Sequence, residues 1–452
     1  MINTDKIYIN KDEELDAKKL GKIIRKFRCS TLQELEKRRG YYDGSGQAIM
    51  KRVMSDPSKP NNKIVKNYCL SAVRNFQAYI CGGNNPVTYK ASNPDDDIQP
   101  LLDVLKDNDV VNSDSEWLKS ALVYGIAPQL VYINENNEIK FRNVSSENVI
   151  PIFSADLDEG LLAVIYYYQI IDWDKDESDK KYSVNVYDDK YIYHYITSDD
   201  FNSFAIDGEP EAHFFNEVPW SIFDLNSDGT SIFDCIIGLQ DAYNVLLSDS
   251  VNDWSAFCDA YLVTKNGKIE PEDMADMRQN RVISSDDDMD VYYLTKNTND
   301  TQVVHLMEEI NKSIHTIANS PDFSSEEFGS GVSSGIALAY KLVGFNNVSS
   351  NIEAQFKKAI YKRLDLINKV FKLISTDTYD ISVDFTHNLP TNLNDNAEVV
   401  ASLRGLVSSE TLLTLLPFVS DPAAEAEKVQ AEYEANVNIG EFNMHGGDSN
   451  DN

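Results

Sequence analysis

The sequence predicts an α+β protein that is mainly helical. Apolar residues recur at helical spacing over most of the chain, whereas one stretch, Pro128 to Ile196, alternates with the period of strands. Long amphipathic segments follow that stretch. With 452 residues, of which 42% are hydrophobic and 10% aromatic, the chain is large enough for more than one core.

The N-terminal region is predicted to be helical. A short charged helix covers Thr31 to Tyr42, with Thr31 as N-cap and Glu34 in a capping-box position. A second helix covers Asn62 to Ile80 and ends at Gly82-Gly83, because glycine is the usual residue after a helix. Pro86 to Tyr89 then predicts a strand.

The middle of the chain predicts one antiparallel sheet, closed by Pro219, whose strands are separated by acidic turns such as Asp172–Asp179. The predicted strands are Leu130–Ile133, Ile139–Phe141, Val149–Phe153, Leu161–Ile171, Tyr182–Tyr187 and Tyr191–Ile196.

Helices dominate the second half. Thr230 to Phe257 carries an apolar face and, opposite it, a polar stripe formed by Asp241, Asn244, Ser248 and Asn252. The later predicted segments are a strand-turn region at Ala260–Asn299, a helix at Gln302–Ala318, a Ser/Gly/acidic loop at Pro321–Gly335, a helix at Ile336–Ile374 with a candidate break at Gly344–Asn347, and two helices in Asn396–Asn436.

The charge argues against tight binding of nucleic acid. Lys and Arg number 41 against 73 Asp and Glu, a net charge of -32, whereas a protein that grips phosphates needs the opposite sign. The five cysteines are scattered without a C-x-x-C pair, so we expect reduced, buried thiols. We find no signal-peptide pattern and no apolar stretch of membrane-spanning length, and we expect no cofactor.

Three motifs suggest chemistry but lack the context that the chemistry needs. Gly331 to Gly335 fits the G-x-S-x-G string of a serine hydrolase, with Ser333 as nucleophile, but no buried strand precedes it. Asp224 to Gly229 resembles the start of a calcium loop, yet Cys235 stands where a bidentate Glu is required. The basic cluster Lys357, Lys358, Lys362 and Arg363 is interpreted as a solvated helix face, and a partner or nucleic-acid contact is the alternative.

A set of strings along the chain carries a family resemblance. Asn62–Tyr89 contains N-K-I-V-K-N-Y and G-G-N-N-P-V-T-Y, and Ser120–Ile133 reads SALVYGIAPQLVYI. Asp241–Tyr261 is similar to a DAYN-x-L-x-SD string, Phe328–Leu342 to F-G-x-x-SG-x-AL-x-x-K, and Leu403–Pro422 to a terminal helical string. The chain, from about Thr31 to Glu434, resembles the portal proteins of long-tailed phages of Gram-positive hosts.

The resemblance implies a portal fold: a ring of about twelve subunits around an axial tunnel at one capsid vertex of the virion, assembled in the host cytoplasm. The implied parts are a wing (1–229), a stem helix (230–258), a clip (259–301), a second stem helix (302–320), a tunnel loop (321–335), a long wing helix with a return strand (336–395), a crown (396–437) and a disordered tail (438–452). The chain is short for this family, so we expect a reduced crown and tail.

The implied role is structural and not enzymatic. Double-stranded DNA would pass through the tunnel without sequence recognition, and the implied partners are the terminase, the head–tail connector, the scaffold and the major capsid protein. The alternatives are a serine hydrolase that uses Ser333 and another head adaptor or minor capsid protein.

Two sets of residues are predicted to face the DNA. A polar or acidic lining leaves a shallow binding well, so the stripe of Asp241, Asn244, Ser248 and Asn252 is predicted to line the tunnel on the stem. The predicted tunnel loop contains Glu326, Glu327, Phe328, Gly329, Ser330, Gly331, Val332, Ser333 and Ser334. The alternative site for this loop is Gly344 to Ser350, at the candidate helix break.

Overall fold

The computed structural model describes residues 6–57, 59–83, 85–171, 180–257, 262–266, 290–293, 300–323, 340–387, 399–413, 415–416, 419, 422 and 424–432. The chain divides into two compact units, one of Met1–Gly331 with Ala339–Asn388 and the other of Val332–Leu338 with Leu389–Asn452.

The first unit contains both helices and strands, and those within the described residues are as follows. Its helices are α1 (Ala17–Cys29), α2 (Thr31–Asp43), α3 (Tyr68–Cys81), α4 (Gln99–Asp107), α5 (Val110–Tyr124), α6 (Ile237–Phe257), α7 (Asp300–Ile317) and α8 (Val343–Phe371). Its strands are β1 (Ile7–Ile9), β2 (Val87–Ala91), β3 (Ile126–Ile133), β4 (Ile139–Asn143), β5 (Val149–Ser154), β6 (Leu161–Ile170), β7 (Lys181–Tyr187), β8 (Tyr191–Ser198), β9 (Phe204–Ile206), β10 (Glu211–Ala212), β11 (Trp220–Asp224), β12 (Leu262–Lys265), β13 (Asp290–Tyr293) and β14 (Ile381–Phe385).

The largest sheet has the order β1-β5-β6-β7-β8-β10, and β9 also pairs with β8. All its pairs are antiparallel except β1 with β5, which is parallel and which the sequence pattern did not predict. Alternate residues of β5, β6 and β7 form a core with α1 and α2, in which Leu20, Ile24 and Leu35 are buried. The sheet therefore acts as a platform for the two N-terminal helices.

The predicted strands exist, but the prediction that they form one sheet is wrong. β3 and β4 pair with β11 in a separate three-stranded antiparallel sheet of order β11-β3-β4. β5 cannot join them because its two edges are already occupied by β1 and β6. The chain changes sheets at Ser146–Asn148, where the Ser146 hydroxyl donates to the Ile126 carbonyl (2.7 Å).

Two helix starts differ from the sequence expectation. Helix α2 has Ser30 as its N-cap residue, without a side-chain capping bond, so the predicted capping box at Thr31 and Glu34 is wrong. Helix α3 begins only at Tyr68, where Asn67 Oδ1 accepts from the Leu70 N–H (3.0 Å), and the preceding residues 62–67 are not helical.

The predicted break in the last long helix is absent, because α8 runs without interruption over Gly344–Asn347. After α8 the chain returns as β14, which pairs antiparallel with β2. Between α6 and α7, β12 and β13 form an antiparallel hairpin in which Leu262 faces Tyr293 and Lys265 faces Asp290. The predicted strand-turn insertion thus contains a hairpin.

The described part of the second unit is mainly helical. Residues 399–403 form a turn of helix, Arg404 and Val407 form an isolated bridge, and α9 (Ser409–Leu413) and residues 424–432 are helical. The predicted tail, 438–452, lies outside the described residues.

The cysteines are free thiols at the four described positions, but only two of them are buried. Cys69 and Cys81 lie in the core, where burial raises the pKa of each thiol. Cys29 and Cys235 are exposed, which corrects the expectation that all thiols are buried.

Candidate functional site

The two predicted stem helices, α6 and α7, lie against each other and against the start of α3. Tyr68 joins the three elements. Its hydroxyl donates to Asn311 Oδ1 on α7 (2.5 Å), and its ring packs edge-on against Tyr243 of α6 (5.3 Å between centroids) and His315 of α7 (5.6 Å). The helix pair is therefore fixed to the N-terminal half of the chain.

One face of α6 holds an extended segment of the chain through a row of polar side chains. We call Gln240, Asn244, Ser248 and Asn252 the polar ladder. Each side-chain oxygen accepts a backbone N–H of the segment 62–68: Asn62 bonds to Asn252 Oδ1 (2.8 Å), Ile64 to Ser248 Oγ (3.0 Å), Lys66 to Asn244 Oδ1 (3.0 Å) and Tyr68 to Gln240 Oε1 (2.7 Å).

The ladder works because two periods match. Four residues of α-helix advance about 6 Å, and two residues of extended chain advance about 6.5 Å. Every fourth residue of α6 can therefore meet every second residue of an antiparallel extended strand. Gln240 Nε2 also donates to the Lys66 carbonyl (2.6 Å), so the helix side chains replace a neighbouring strand.

The burial of the polar ladder contradicts the predicted tunnel lining. Asn244 and Ser248 have no exposed surface and Asn252 is 8% exposed, because the segment 62–68 covers them. A side chain enclosed in its own subunit cannot line a channel. Asp241 is half-buried, and its Oδ2 accepts from the Tyr41 hydroxyl (2.8 Å); burial and this carboxylate raise the pKa of Tyr41.

The outward surfaces of α6 and α7 are partly apolar and partly acidic. On α6, Val245 and Trp254 are exposed, the latter by 71%, and Asp249 pairs with Arg52 (2.6 Å). On α7, an exposed run of mixed chemistry comprises Val304, His305, Leu306, Glu308 and Glu309. The exposed surface of α6 and α7 includes these residues together with Lys312, and it excludes Asn244 and Ser248 of the ladder.

A buried ion pair ties α8 to α5. Arg363 is completely buried, and its guanidinium donates two bonds to the Asp114 carboxylate, one from Nη1 to Oδ1 and one from Nη2 to Oδ2 (3.1 Å). Nη2 also contacts the Tyr89 hydroxyl (3.0 Å), and the guanidinium lies over the rings of Phe141 (4.8 Å) and Trp117 (5.4 Å).

The pKa of Arg363 reflects that environment, because burial alone would lower it and the charge of Asp114 raises it. The interpretation of Arg363 as part of a solvated face is therefore wrong. Lys362 does reach the surface, where it pairs with Glu217 (2.5 Å), and Lys358 is exposed.

A second enclosed arginine sets the start of α6. Arg38 of α2 is 1% exposed and pairs with Asp234, just before α6 (2.7 Å). Its Nη1 donates to the carbonyls of Tyr124 (2.6 Å) and Gly229 (2.9 Å). Neither arginine stands out in the sequence, because partners more than 80 residues away determine that it is buried.

Of the two remaining sequence motifs, one lies outside the described residues and the other forms a turn. Glu326 to Ser334, including Ser333, lie outside the described residues. At Asp224–Gly229, Asn226 Oδ1 accepts from the N–H groups of Asp228 (3.1 Å) and Thr230 (3.0 Å), and Asp224 pairs with Lys6, so this segment is a turn.

The described residues contain no group of three or more His, Cys, Asp or Glu side chains that could hold a metal ion. None of their helices is both long and apolar enough to cross a membrane.

We expect Asn244→Ala to lower the free energy of unfolding by about 1–3 kcal/mol, because it leaves the Lys66 N–H buried without an acceptor. Val245→Ala is the matched control, since this neighbour is exposed; its expected effect is within about 0.5 kcal/mol. Urea denaturation at one fixed protein concentration measures both. Equal midpoints for the two variants would show that the ladder does not stabilise the fold.

Comparison with known proteins gives one family. Residues 23–438 match the family described as phage portal protein, SPP1 Gp6-like. The chain is 24% identical over 442 residues to the portal protein of Bacillus phage SPP1, which covers 93% of this chain and 84% of that protein. It is 23% identical over 432 residues to the portal protein of a Clostridium phage, phiCD119, covering 88% of this chain and 92% of that protein.

The match leaves the serine hydrolase alternative without support, because the family is a structural one. It spans both helices of the α6–α7 pair, the hairpin between them and the polar ladder. The chain therefore belongs to the SPP1 Gp6-like family of phage portal proteins.

Proposed function

We propose that this chain is the repeating subunit of a ring of about twelve copies, which surrounds an axial DNA channel at one vertex of the capsid. The observation that carries the proposal is the family match over residues 23–438, which includes the sequence of helix, hairpin and helix from α6 to α7. A closed ring of identical subunits needs two different complementary surfaces on each copy.

In this ring, α6 and α7 form the stem, and the β12–β13 region within 259–301 forms the clip. A hairpin between two packed helices supports this assignment, because both ends of the insertion return to the stem. The wing comprises 1–229 and 336–395, the crown 396–437, and the tunnel loop 321–335.

We assign the stem lining to the outward surface of α7 instead of the ladder. Glu308 and Glu309 are exposed there, and His305 lies 3.4 Å from Glu308. Carboxylates do not bind phosphate, so DNA passing such a surface meets no deep binding well. The net charge of -32 agrees with a channel that conducts DNA without holding it.

The partners follow from this role. Double-stranded DNA passes without sequence recognition, and the clip contacts the terminase during packaging and the head–tail connector afterwards. The scaffold and the major capsid protein contact the ring at its vertex, and assembly takes place in the host cytoplasm before the virion is complete.

The purified protein is expected to form a particle of about twelve times the subunit mass, with an open axial channel in negative-stain images. Multi-angle light scattering measures the mass over a range of salt and protein concentrations. A count of thirteen would still agree with the proposal. Monomers or dimers under all conditions would overturn it, and a small closed assembly without a channel would favour a head adaptor instead.

A further inference from the structure

The first helix is the most basic element of an acidic protein. Helix α1 contains six lysines and arginines and no acidic residue, in a chain of net charge -32. Its apolar side, with Leu20, Ile24 and Phe27, is buried on the large sheet. The basic residues therefore occupy the other sides of the helix.

The arginines of α1 have a structural use inside the subunit. Arg25 donates to the Phe201 carbonyl (2.6 Å) and to Asn202 Oδ1 (2.6 Å), and Arg28 pairs with Asp199 (2.8 Å). Both arginines hold α1 to the loop after β8. This contact does not account for the exposed lysines of the same helix.

Three lysines point away from the sheet. Lys18, Lys22 and Lys26 are exposed and lie four residues apart, so they align along one outer face of α1. We call them the lysine stripe. No ion pair in the described part of the chain involves Lys18 or Lys22, whereas the neighbouring Lys19 pairs with Glu13 (3.0 Å).

The stripe works against the stability of the isolated helix. Like charges four residues apart repel, and a lysine in the first turn opposes the helix dipole. Asp16 partly compensates, since its side chain accepts the Lys19 N–H (2.7 Å). Lysines that destabilise their own helix are explained if they bind an anionic surface outside the subunit.

An acidic surface of similar length lies on a different part of the subunit. Helix α4 packs on α5, and its exposed side carries Asp103 and Asp107, again four residues apart. The same region presents the exposed carboxylates of Asp95, Asp97 and Asp109. Within the described residues none of these five carboxylates has an ion-pair partner, and Lys106 is the one cation of the sequence between Ala91 and Ser113.

We propose that the lysine stripe of one subunit docks on the α4 carboxylates of the next subunit in the ring, with Lys18 and Lys22 opposite Asp103 and Asp107. The two pairs have the same spacing of about 6 Å along their helices, so both ion pairs can form at once. The contact joins two different surfaces, as a head-to-tail ring requires. This inference rests on the proposed ring.

A second copy fits the stripe better than DNA does. The field of a chain with a net charge of -32 repels a polyanion at long range, and it is repeated in every subunit of the ring. The same charge makes subunits repel one another. Ion pairs between neighbouring subunits therefore favour assembly, because each pair offsets part of this repulsion.

Charge reversal and charge exchange test the contact. Lys18→Glu/Lys22→Glu and Asp103→Lys/Asp107→Lys should each raise the protein concentration for half-assembly by about tenfold or more at low salt, since two attractions become repulsions. The combined four-site variant should restore assembly to about the wild-type level, because the pairs form again with their signs exchanged. Light scattering measures assembly, and circular dichroism shows that each variant is folded.

Lys90→Glu/Lys358→Glu is the matched control, because both lysines are exposed and the change in net charge is the same as in the α1 variant. It should assemble like the wild type. Normal assembly of both reversed variants, or a combined variant that stays defective, would overturn the contact while leaving the ring in place. Normal rings of the α1 variant that lose DNA in a filter-binding assay would assign the stripe to DNA. A wild-type protein that never assembles would instead refute the ring itself.

Discussion

Replacing Asp114 with alanine is expected to lower the free energy of unfolding by about 3–5 kcal/mol, because it leaves the guanidinium of Arg363 buried without a counter-charge. Arg363 is completely buried and Asp114 is 1% exposed, so water cannot solvate the remaining charge. The other polar contacts of the guanidinium, with Tyr89 and Gln129, are to neutral groups.

A variant that lacks both charges separates the effect of the unpaired charge from that of the cavity that alanine creates. Arg363→Met/Asp114→Ala removes both charges and should be less destabilised than Asp114→Ala alone. Asp365→Ala provides the surface control, since Asp365 forms a partly exposed i,i+4 pair with Lys369 (2.9 Å) and its loss should cost at most about 0.5 kcal/mol.

Urea denaturation at fixed protein concentration measures all three variants. If Asp114→Ala and Asp365→Ala shift the midpoint equally, Arg363 must reach solvent or another anion, and the ion pair does not hold α8 to α5.

The sequence predicts the elements of this fold better than it predicts their neighbours. Periodicity located all six strands between Leu130 and Ile196, since alternation is a local property. It could not show that β3 pairs with β11, some 90 residues later, because pairing depends on which strand edges remain free. The strands therefore lie in two sheets, whereas the sequence pattern predicted one.

Two errors at α6 have one physical cause. The pattern of Asn62 to Asn67 fits a helix, and the stripe of Asn244, Ser248 and Asn252 fits a solvent-facing surface. In the fold the segment and the stripe satisfy each other, because the side-chain oxygens of the stripe accept the backbone N–H groups of Asn62, Ile64 and Lys66. A long polar stripe can therefore indicate a strand partner within the same chain, and local propensity yields to that contact.

For the site residues too, the sequence predicts local properties better than properties that depend on distant contacts. Composition and charge predict a protein that does not bind DNA tightly, and this stays a prediction, whereas the family that the ordered strings indicated is confirmed. Arg363 was misread because a basic residue beside Lys362 resembles a solvated face, and only the distant Asp114 shows otherwise. The lining of the channel stays a proposal for the same reason, since it depends on surfaces of several subunits.

Removal of residues 268–289 is expected to abolish DNA packaging while the subunit still folds and forms rings. These residues belong to the part of the proposed clip between β12 and β13, two strands in which Lys265 lies opposite Asp290. The deletion joins Lys265, Asn266 and Gly267 directly to Asp290, so that Asn-Gly becomes the two-residue turn of the shortened hairpin. Asn266 already has a φ of 61°, the left-handed conformation that a type I′ turn needs at its first central position.

The shortened hairpin keeps both strands and both stem helices, so a defect would come from the lost docking surface and not from misfolding. Filled capsids per infected cell should fall by orders of magnitude, and binding of the purified ring to terminase should be lost. The matched control shortens the loop between β6 and β7, where Ile170 pairs with Lys181, by replacing residues 171–180 with Asn-Gly. That variant should package normally, because this loop belongs to the wing. Normal packaging by the 268–289 deletion would place the docking surface elsewhere on the ring, whereas a defect of equal size in both variants would mean that packaging responds to any shortened hairpin and not to the clip.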